Sequence, residues 1–338
     1  MTAVIRQHIL RPVAAMIVAL TAGLVARGQT DAQYTQYYEA PAVYNPSMIG
    51  DQDGIRMRAG GRLQWVGIDN APQSFMLSAN MPLQLIGKRF GVGLMAQQQS
   101  AGLFRDLTVG VQAGYRQKLF KGELSAAVQI GFANQVFKGS DVYLPDDDDY
   151  HEGTDDAVPT TDLSGNSLDL GVGVSYTHKW FWAGVSCTHV NNPTITFADE
   201  NGVTGSGSTA TTAKNYELTL RRTLYFMAGS NIPIKNTLFE VMPSLLVKTD
   251  FTFTRMEANA RLRYKKFLTA GVGYRHDDAV SVMLGAEFKG FFIGYSYDYP
   301  ITAISKASSG SHELMLGYTV KLKMDKKNNN KHKSIRIM

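Results

Sequence analysis

From residue 55 to residue 322 the chain alternates between large apolar and small or polar side chains with a period of two. In 267–276, Leu268, Ala270, Val272 and Tyr274 alternate with Thr269, Gly271, Gly273 and Arg275. In 279–288, Val280, Val282, Leu284, Ala286 and Phe288 alternate with Ser281, Met283, Gly285 and Glu287. The stretches around Ile293–Tyr299 and Leu314–Leu322 repeat the pattern. Successive side chains of a strand point to opposite faces, so each stretch has one apolar and one small-or-polar face. The same reading predicts fourteen strands, at 55–65, 73–81, 90–99, 105–117, 123–135, 167–178, 181–190, 216–229, 238–249, 253–264, 267–276, 279–288, 291–299 and 312–322.

The fold expected is all-β: a transmembrane antiparallel outer-membrane β-barrel of about 14 strands. Several segments reach ten residues or more, beyond the five or six usual in soluble sheets and enough to cross an apolar band of about 25 Å. Long connections follow odd-numbered segments, while even-numbered segments end in short turns such as Lys265-Lys266 and Lys289-Gly290. Barrels of this kind have short periplasmic turns and long external loops, so both termini are expected in the periplasm. Arginines recur on the polar face. Each would cost about 2–4 kcal/mol against hydrocarbon at the midplane, so that face lines the lumen. Glycines on the same face allow curvature or leave room for long side chains. Trp65, Trp180 and Trp182 lie near segment ends, where an interfacial girdle is expected.

Composition narrows the remaining choices. The 338 residues are 44% hydrophobic and 19% charged, with one Cys. A disulfide framework and a Cys-based zinc cluster are excluded. Residues 1–28 read as a secretory signal peptide: Arg6, His8 and Arg11, then an apolar run from Val13 to Val25, then Ala26-Arg27-Gly28 before a cut at Gln29. Its removal takes Arg6, Arg11 and Arg27 and lowers the net charge from +5 to +2, which argues against nucleic acid as a partner. The expected organisation is a periplasmic N-terminal segment at 29–54, a barrel at 55–322 and a basic periplasmic tail at 323–338.

Five ordered motifs carry a resemblance. They are Gln33-Tyr34-Thr35-Gln36-Tyr37 with Tyr44-Asn45-Pro46-Ser47-Met48-Ile49-Gly50, then Gln64-Trp65-Val66-Gly67-Ile68-Asp69-Asn70-Ala71-Pro72-Gln73, Gly273-Tyr274-Arg275-His276-Asp277-Asp278-Ala279-Val280, Gly294-Tyr295-Ser296-Tyr297-Asp298-Tyr299 and Gly310-Ser311-His312-Glu313-Leu314-Met315-Leu316. Over 33–320 the chain resembles the PorP/SprF family of type IX secretion membrane proteins. The resemblance implies a non-enzymatic outer-membrane protein of Bacteroidota. It would scaffold the secretion machine or assist export and surface attachment of a large secreted adhesin with a C-terminal sorting domain, with a link to gliding motility in some members. Implied partners are outer-membrane lipids, secretion components and that adhesin; no cofactor is implied. A porin or hydrophobic-substrate channel is the competing reading.

The candidate sites follow from charge and turn chemistry. Asp141, Asp146, Asp147, Asp148, Asp149, Glu152, Asp155, Asp156 and Asp162 fall in one expected external loop. Carboxylates Asp146, Asp147, Asp148 and Asp149 suit Ca²⁺, but the spacing lacks an EF-hand's alternating ligands and Gly, and a solvated loop explains it as well. Arg56, Arg58, Arg62, Arg255, Arg261, Arg263 and Arg275 are expected in the lumen with Glu240, Glu257, Glu287 and Asp298. An anion-selective pore is one reading; a cross-lumen ion-pair network is the other, favoured by acids on the same face. Trp65, Gly67, Asp69, Asn70 and Pro72 form the first external turn and are candidates for partner binding, although turn chemistry accounts for the same residues. Ser311-His312-Glu313 has triad composition, but neighbours on a strand point to opposite faces, so no relay is expected. Cys187 is expected to face lipid or pack as a small apolar residue.

Overall fold

The computed structural model describes residues 31–142, 159, 161–198 and 215–322. Its strands in chain order are β1 (Gly54–Leu63), β2 (Gln73–Leu85), β3 (Lys88–Ala101), β4 (Phe104–Leu119), β5 (Gly122–Phe137), β6 (Leu163–Thr177), β7 (Phe181–Thr188), β8 (Thr194–Ala198), β9 (Asn215–Thr219), β10 (Thr223–Ser230), β11 (Ile232–Pro233), β12 (Phe239–Thr249), β13 (Thr254–Tyr264), β14 (Leu268–Arg275), β15 (Ala279–Phe288), β16 (Phe291–Pro300) and β17 (Ser311–Lys321). Fourteen of them form a closed antiparallel barrel: β1–β7, β10 and β12–β17. One closing seam joins β1 to β17, from Gly54↔Lys321 to Leu63↔His312; the other joins β10 to β12. The two-residue β11 extends the sheet beside β12. Among the described residues no helix is long and apolar enough to cross a membrane.

Closure removes every free sheet edge, which hydrocarbon would otherwise leave without hydrogen-bond partners. The outward residues are the apolar members of each alternation: Leu77, Phe132 and Leu284 are each more than 60% exposed. Their alternates, such as Ser78, Gly131 and Met283, face inward. The apolar content is therefore largely the barrel's outer skin.

Connections at one end are short, as at Ile86-Gly87, Phe120-Lys121 and Lys289-Gly290; the other end carries 64–72, 138–162, 189–222 and 301–310. The expected strand at 216–229 is two elements. Alternation continues through Tyr216, Leu218 and Leu220, but 215–219 pairs with 194–198 in a separate hairpin, and the barrel strand starts at Thr223. Ile195 and Phe197 of that hairpin bury against Ala133 of β5 and Leu163 of β6, folding it onto the long-loop end of the wall.

The largest departure from the sequence reading is the segment before β1. Expected as a periplasmic segment at 29–54, it does not stand apart from the barrel. Residues 32–50 run inside the barrel as a chain of short 3-10 turns at Tyr37–Glu39, Pro41–Val43 and Pro46–Met48. Tyr34, Tyr37 and Ile49 are fully buried, and the segment forms a core with Met76, Met95, Met227, Leu246 and Met315 of the wall. Trp182 also faces this core rather than an interfacial girdle. The signal peptide, Asp146, Asp147, Asp148, Asp149 and the basic tail lie outside the described residues.

Candidate functional site: a plugged lumen

The inner wall is cut to receive the N-terminal segment. A Cβ on Gly173 would stand 2.1 Å from Asn45 Oδ1, one on Gly294 2.1 Å from Gln36 Oε1, and one on Gly91 2.7 Å from Ile49. Such distances are too short for any side chain, so these glycines supply space for the plug. Asn45 Oδ1 accepts from Ser47 N at 3.0 Å and caps the last turn. Because the turns form no sheet ladder, wall side chains satisfy much of the plug's backbone. Gln112 Nε2 donates to Ala42 O at 2.8 Å, Ser186 Oγ to Tyr44 O at 2.7 Å and Arg116 Nη1 to Ile49 O at 2.9 Å.

Thr35 is the hub of the long-loop half. Its backbone N–H donates to Glu313 Oε2 at 2.7 Å, and the Gln36 N–H donates to the other Glu313 oxygen at 2.9 Å. The Thr35 hydroxyl donates to Asp298 at 2.8 Å and accepts from Arg62 Nη1 at 3.0 Å and Arg275 Nη2 at 2.9 Å. Arg62 reaches Asp298 at 2.7 Å and Glu313 at 3.4 Å. Arg275 reaches Glu257 at 2.8 Å and both Asp298 and Asp278 at 3.2 Å. Gln33 Nε2 donates to Glu257 at 2.9 Å. All of these side chains but Arg255's neighbour Asp278 are within a few per cent of complete burial, where each charge requires partners.

The other lumenal candidates divide between wall and plug. Arg255 pairs with Asp278 at 2.9 Å, and Arg263 pairs with Glu240. Arg58 and Arg56 reach Glu39 of the plug at 3.3 and 3.7 Å, and Arg261 lies 3.3 Å above the Tyr38 ring. Glu287 is exposed near the short-turn end, outside these ion pairs. Partners absent from the sequence reading are Thr35, Glu39, Asp278, Arg116 and the catch at the plug's start. There His189 spans Asp169 at 2.8 Å and Asp31 at 3.2 Å. Tyr225 also donates to Asp31, and Lys248 Nζ donates to its carbonyl at 2.8 Å. Burial opposes charge on both groups of the Asp31–His189 pair, but their mutual attraction prevails. The Asp31 carboxyl is held well below its usual range, and His189, also bonded to Asp169, is pushed up to about 10.

This catch fixes the path of the plug. Asp31 meets residues at the long-loop ends of β7 and β12, whereas Ile49 and Gly50 meet Arg116 and Arg89 near the short turns. The segment thus enters at the long-loop mouth and descends the lumen before β1 begins.

At that mouth, Trp65, Gly67, Asp69, Asn70 and Pro72 lie in a connection stitched to its neighbours. Trp65, Gly67 and Asn70 take positive φ of 51°, 102° and 55°. Val66 N donates to Gly310 O, Ser309 N to Val66 O, Gly102 N to Asn70 O and Gln64 N to Pro72 O. Gly67, Asp69 and Asn70 remain exposed. Ser311 and Glu313 point inward, while His312 points away and hydrogen-bonds the Tyr295 hydroxyl at 2.7 Å. These three side chains form no relay. Cys187 is half-buried on β7.

A closed fourteen-stranded barrel with an apolar skin and an ion-paired interior is an outer-membrane β-barrel protein. The model of the type IX secretion system membrane protein PorP/SprF matches residues 26–318, and the chain belongs to that family. It is therefore an outer-membrane component of type IX secretion, in a family of structural rather than known catalytic proteins. No curated protein matches the sequence. Among solved structures, it is similar to a Pseudomonas aeruginosa FadL homologue (9% identity, TM-score 0.48, covering 84% of this chain and 94% of that one). It is also similar to the Pseudomonas putida toluene transporter TodX (11%, 0.47, 87% and 96%) and to the translocator domain of Neisseria meningitidis NalP (12%, 0.43, 95% and 97%).

Proposed function

We propose that this chain is a plugged, non-conducting scaffold of the type IX secretion machine. Its long-loop end faces outward and holds a large secreted adhesin by a C-terminal sorting domain, serving gliding motility in cells that glide. The observation that carries this reading is the lumen packed by residues 32–50 and bound by the Thr35 hub. A transporter needs a continuous path, whereas here the interior side chains are committed to one another and to the plug. This supports the ion-pair network over an anion-selective pore. It also weighs against a hydrophobic-substrate channel, since the plug covers the apolar wall residues and the rest of the passage is lined by paired Arg, Glu and Asp. The exposed edge of the first long loop, at Gly67, Asp69 and Asn70, and the β8–β9 hairpin offer a braced platform for a partner.

Affinity purification of the tagged chain from native outer membranes, followed by mass spectrometry, tests the proposal. Recovery of secretion components together with a protein carrying a C-terminal sorting domain is expected. Recovery of neither, under conditions that keep the barrel folded, would overturn it.

A further inference from the structure

The short turns place lysine where hairpin geometry favours Asn or Gly. Tight hairpin turns need positive φ, which a residue with a Cβ adopts at a cost. Yet Lys121 (64°), Lys265 (49°), Lys266 (56°) and Lys289 (48°) occupy such positions. All four are exposed. Most acids at this end are already engaged by arginines, Asp51 by Arg56, Asp53 by Arg89, Glu123 by Arg116 and Glu240 by Arg263, while Glu287 stands outside these ion pairs. Among the described residues, no lysine at this end lies within 4.0 Å of a carboxylate.

Two of these ammonium groups, and those of Lys88 and Lys179 at the same end, lie over aromatic rings. Lys88 lies 5.8 Å from the Tyr115 ring, Lys179 5.0 Å from Trp180, Lys265 5.2 Å from Tyr264 and Lys289 5.2 Å from Phe288. Tyr115, Tyr264 and Phe288 occupy the outward register of their strands, at the level where apolar skin gives way to headgroups. The pairs recur at β3–β4, β6–β7, β13 and β15, so they surround the barrel rather than forming one patch.

We propose that the short-turn rim is a collar for anionic phospholipid, in which the turn lysines hold headgroup phosphates while the rings beneath them sit among the upper acyl carbons. Unpaired ammonium groups at headgroup height complement phosphate, and their attachment to lipid-facing rings favours a bilayer over an acidic protein approaching along the barrel axis. The proposal rests on the membrane reading of the fold but not on the identity of any secretion partner.

The test uses the full chain in nanodiscs of equal phosphatidylglycerol and phosphatidylcholine, with native mass spectrometry of the lipids retained on release. The comparison is a variant carrying Lys121→Gln, Lys265→Gln, Lys266→Gln and Lys289→Gln, with folding checked by heat-modifiable gel migration. The wild-type barrel should retain phosphatidylglycerol roughly threefold or more over phosphatidylcholine, and the variant should retain the two about equally. Molar salt should also abolish the preference. Equal retention by the wild type, or an unchanged preference in a folded variant, would overturn the proposal. So would lysine-dependent binding of a poly-glutamate peptide without lipid preference, which would assign the rim to protein. Recovery of secretion partners by the variant is read separately, so failure of the collar leaves the scaffold reading independently testable.

Discussion

Replacing Thr35 by Val is the sharpest perturbation of the plug, because it removes one hydroxyl and nearly preserves shape. That hydroxyl donates to Asp298 and accepts from Arg62 and Arg275, all buried. Hydrogen bonds to charged groups contribute about 1.5–3 kcal/mol each. Both arginines keep carboxylate partners, so the combined loss should lie near about 3 kcal/mol rather than three times the single-bond value. At about 1.4 kcal/mol per decade, the displaced population should rise roughly a hundredfold. Ala42 is 1% exposed within the plug. In a Cys187→Ser background, Ala42→Cys reports displacement through its rate of labelling by a charged maleimide. Thr35→Val should accelerate labelling by roughly that factor, while Thr35→Ser, which keeps the hydroxyl, should stay within a few-fold. Equal rates for Thr35→Val and the parent would refute the hub's role in holding the plug.

Gly173→Ala should force Asn45 from its cap, because the new Cβ would lie 2.1 Å from Asn45 Oδ1. A loss of about 1–3 kcal/mol is expected, read as faster Ala42→Cys labelling; Gly171→Ala, where the nearest atom is 3.3 Å away, should be milder. The Asp31–His189 catch should give stability a pH dependence. His189 is raised from 6.5 to about 10, so its contribution is complete below pH 6.5 and is lost as pH rises through 10. The Asp31 carboxyl is lowered from 3.8, so its contribution is complete above pH 3.8 and is lost on acidification. Between pH 7 and 10 the melting temperature of the wild type should therefore fall relative to that of His189→Gln; identical slopes would exclude the catch.

The wall was legible because lipid outside and a polar interior impose a two-residue period that sequence displays directly. The fourteen-strand barrel follows from it, and Arg62, Arg275, Glu257 and Asp298 all occupy the inward register. The period failed at 216–229, where a surface hairpin and a barrel strand share one phase. It could not reveal the plug at all. Residues 32–50 are buried in short turns without regular periodicity, and their partners are scattered along the chain, as far as Glu313 from Thr35. A usable signal was present: Tyr34, Tyr37, Tyr38 and Tyr44 concentrate aromatic surface before the first strand and must be buried somewhere. The lumenal glycines were the complementary signal, since their spaces match that segment. Glu313 looked like part of a triad sequence, and its role became visible only when the wall brought it beside Arg62.

Planar-bilayer recording of the purified full chain tests the plugged lumen most directly. The intact barrel should be electrically silent apart from rare, brief steps, because residues 32–50 occupy the passage. A large and persistent conductance from folded, unproteolysed protein would contradict it.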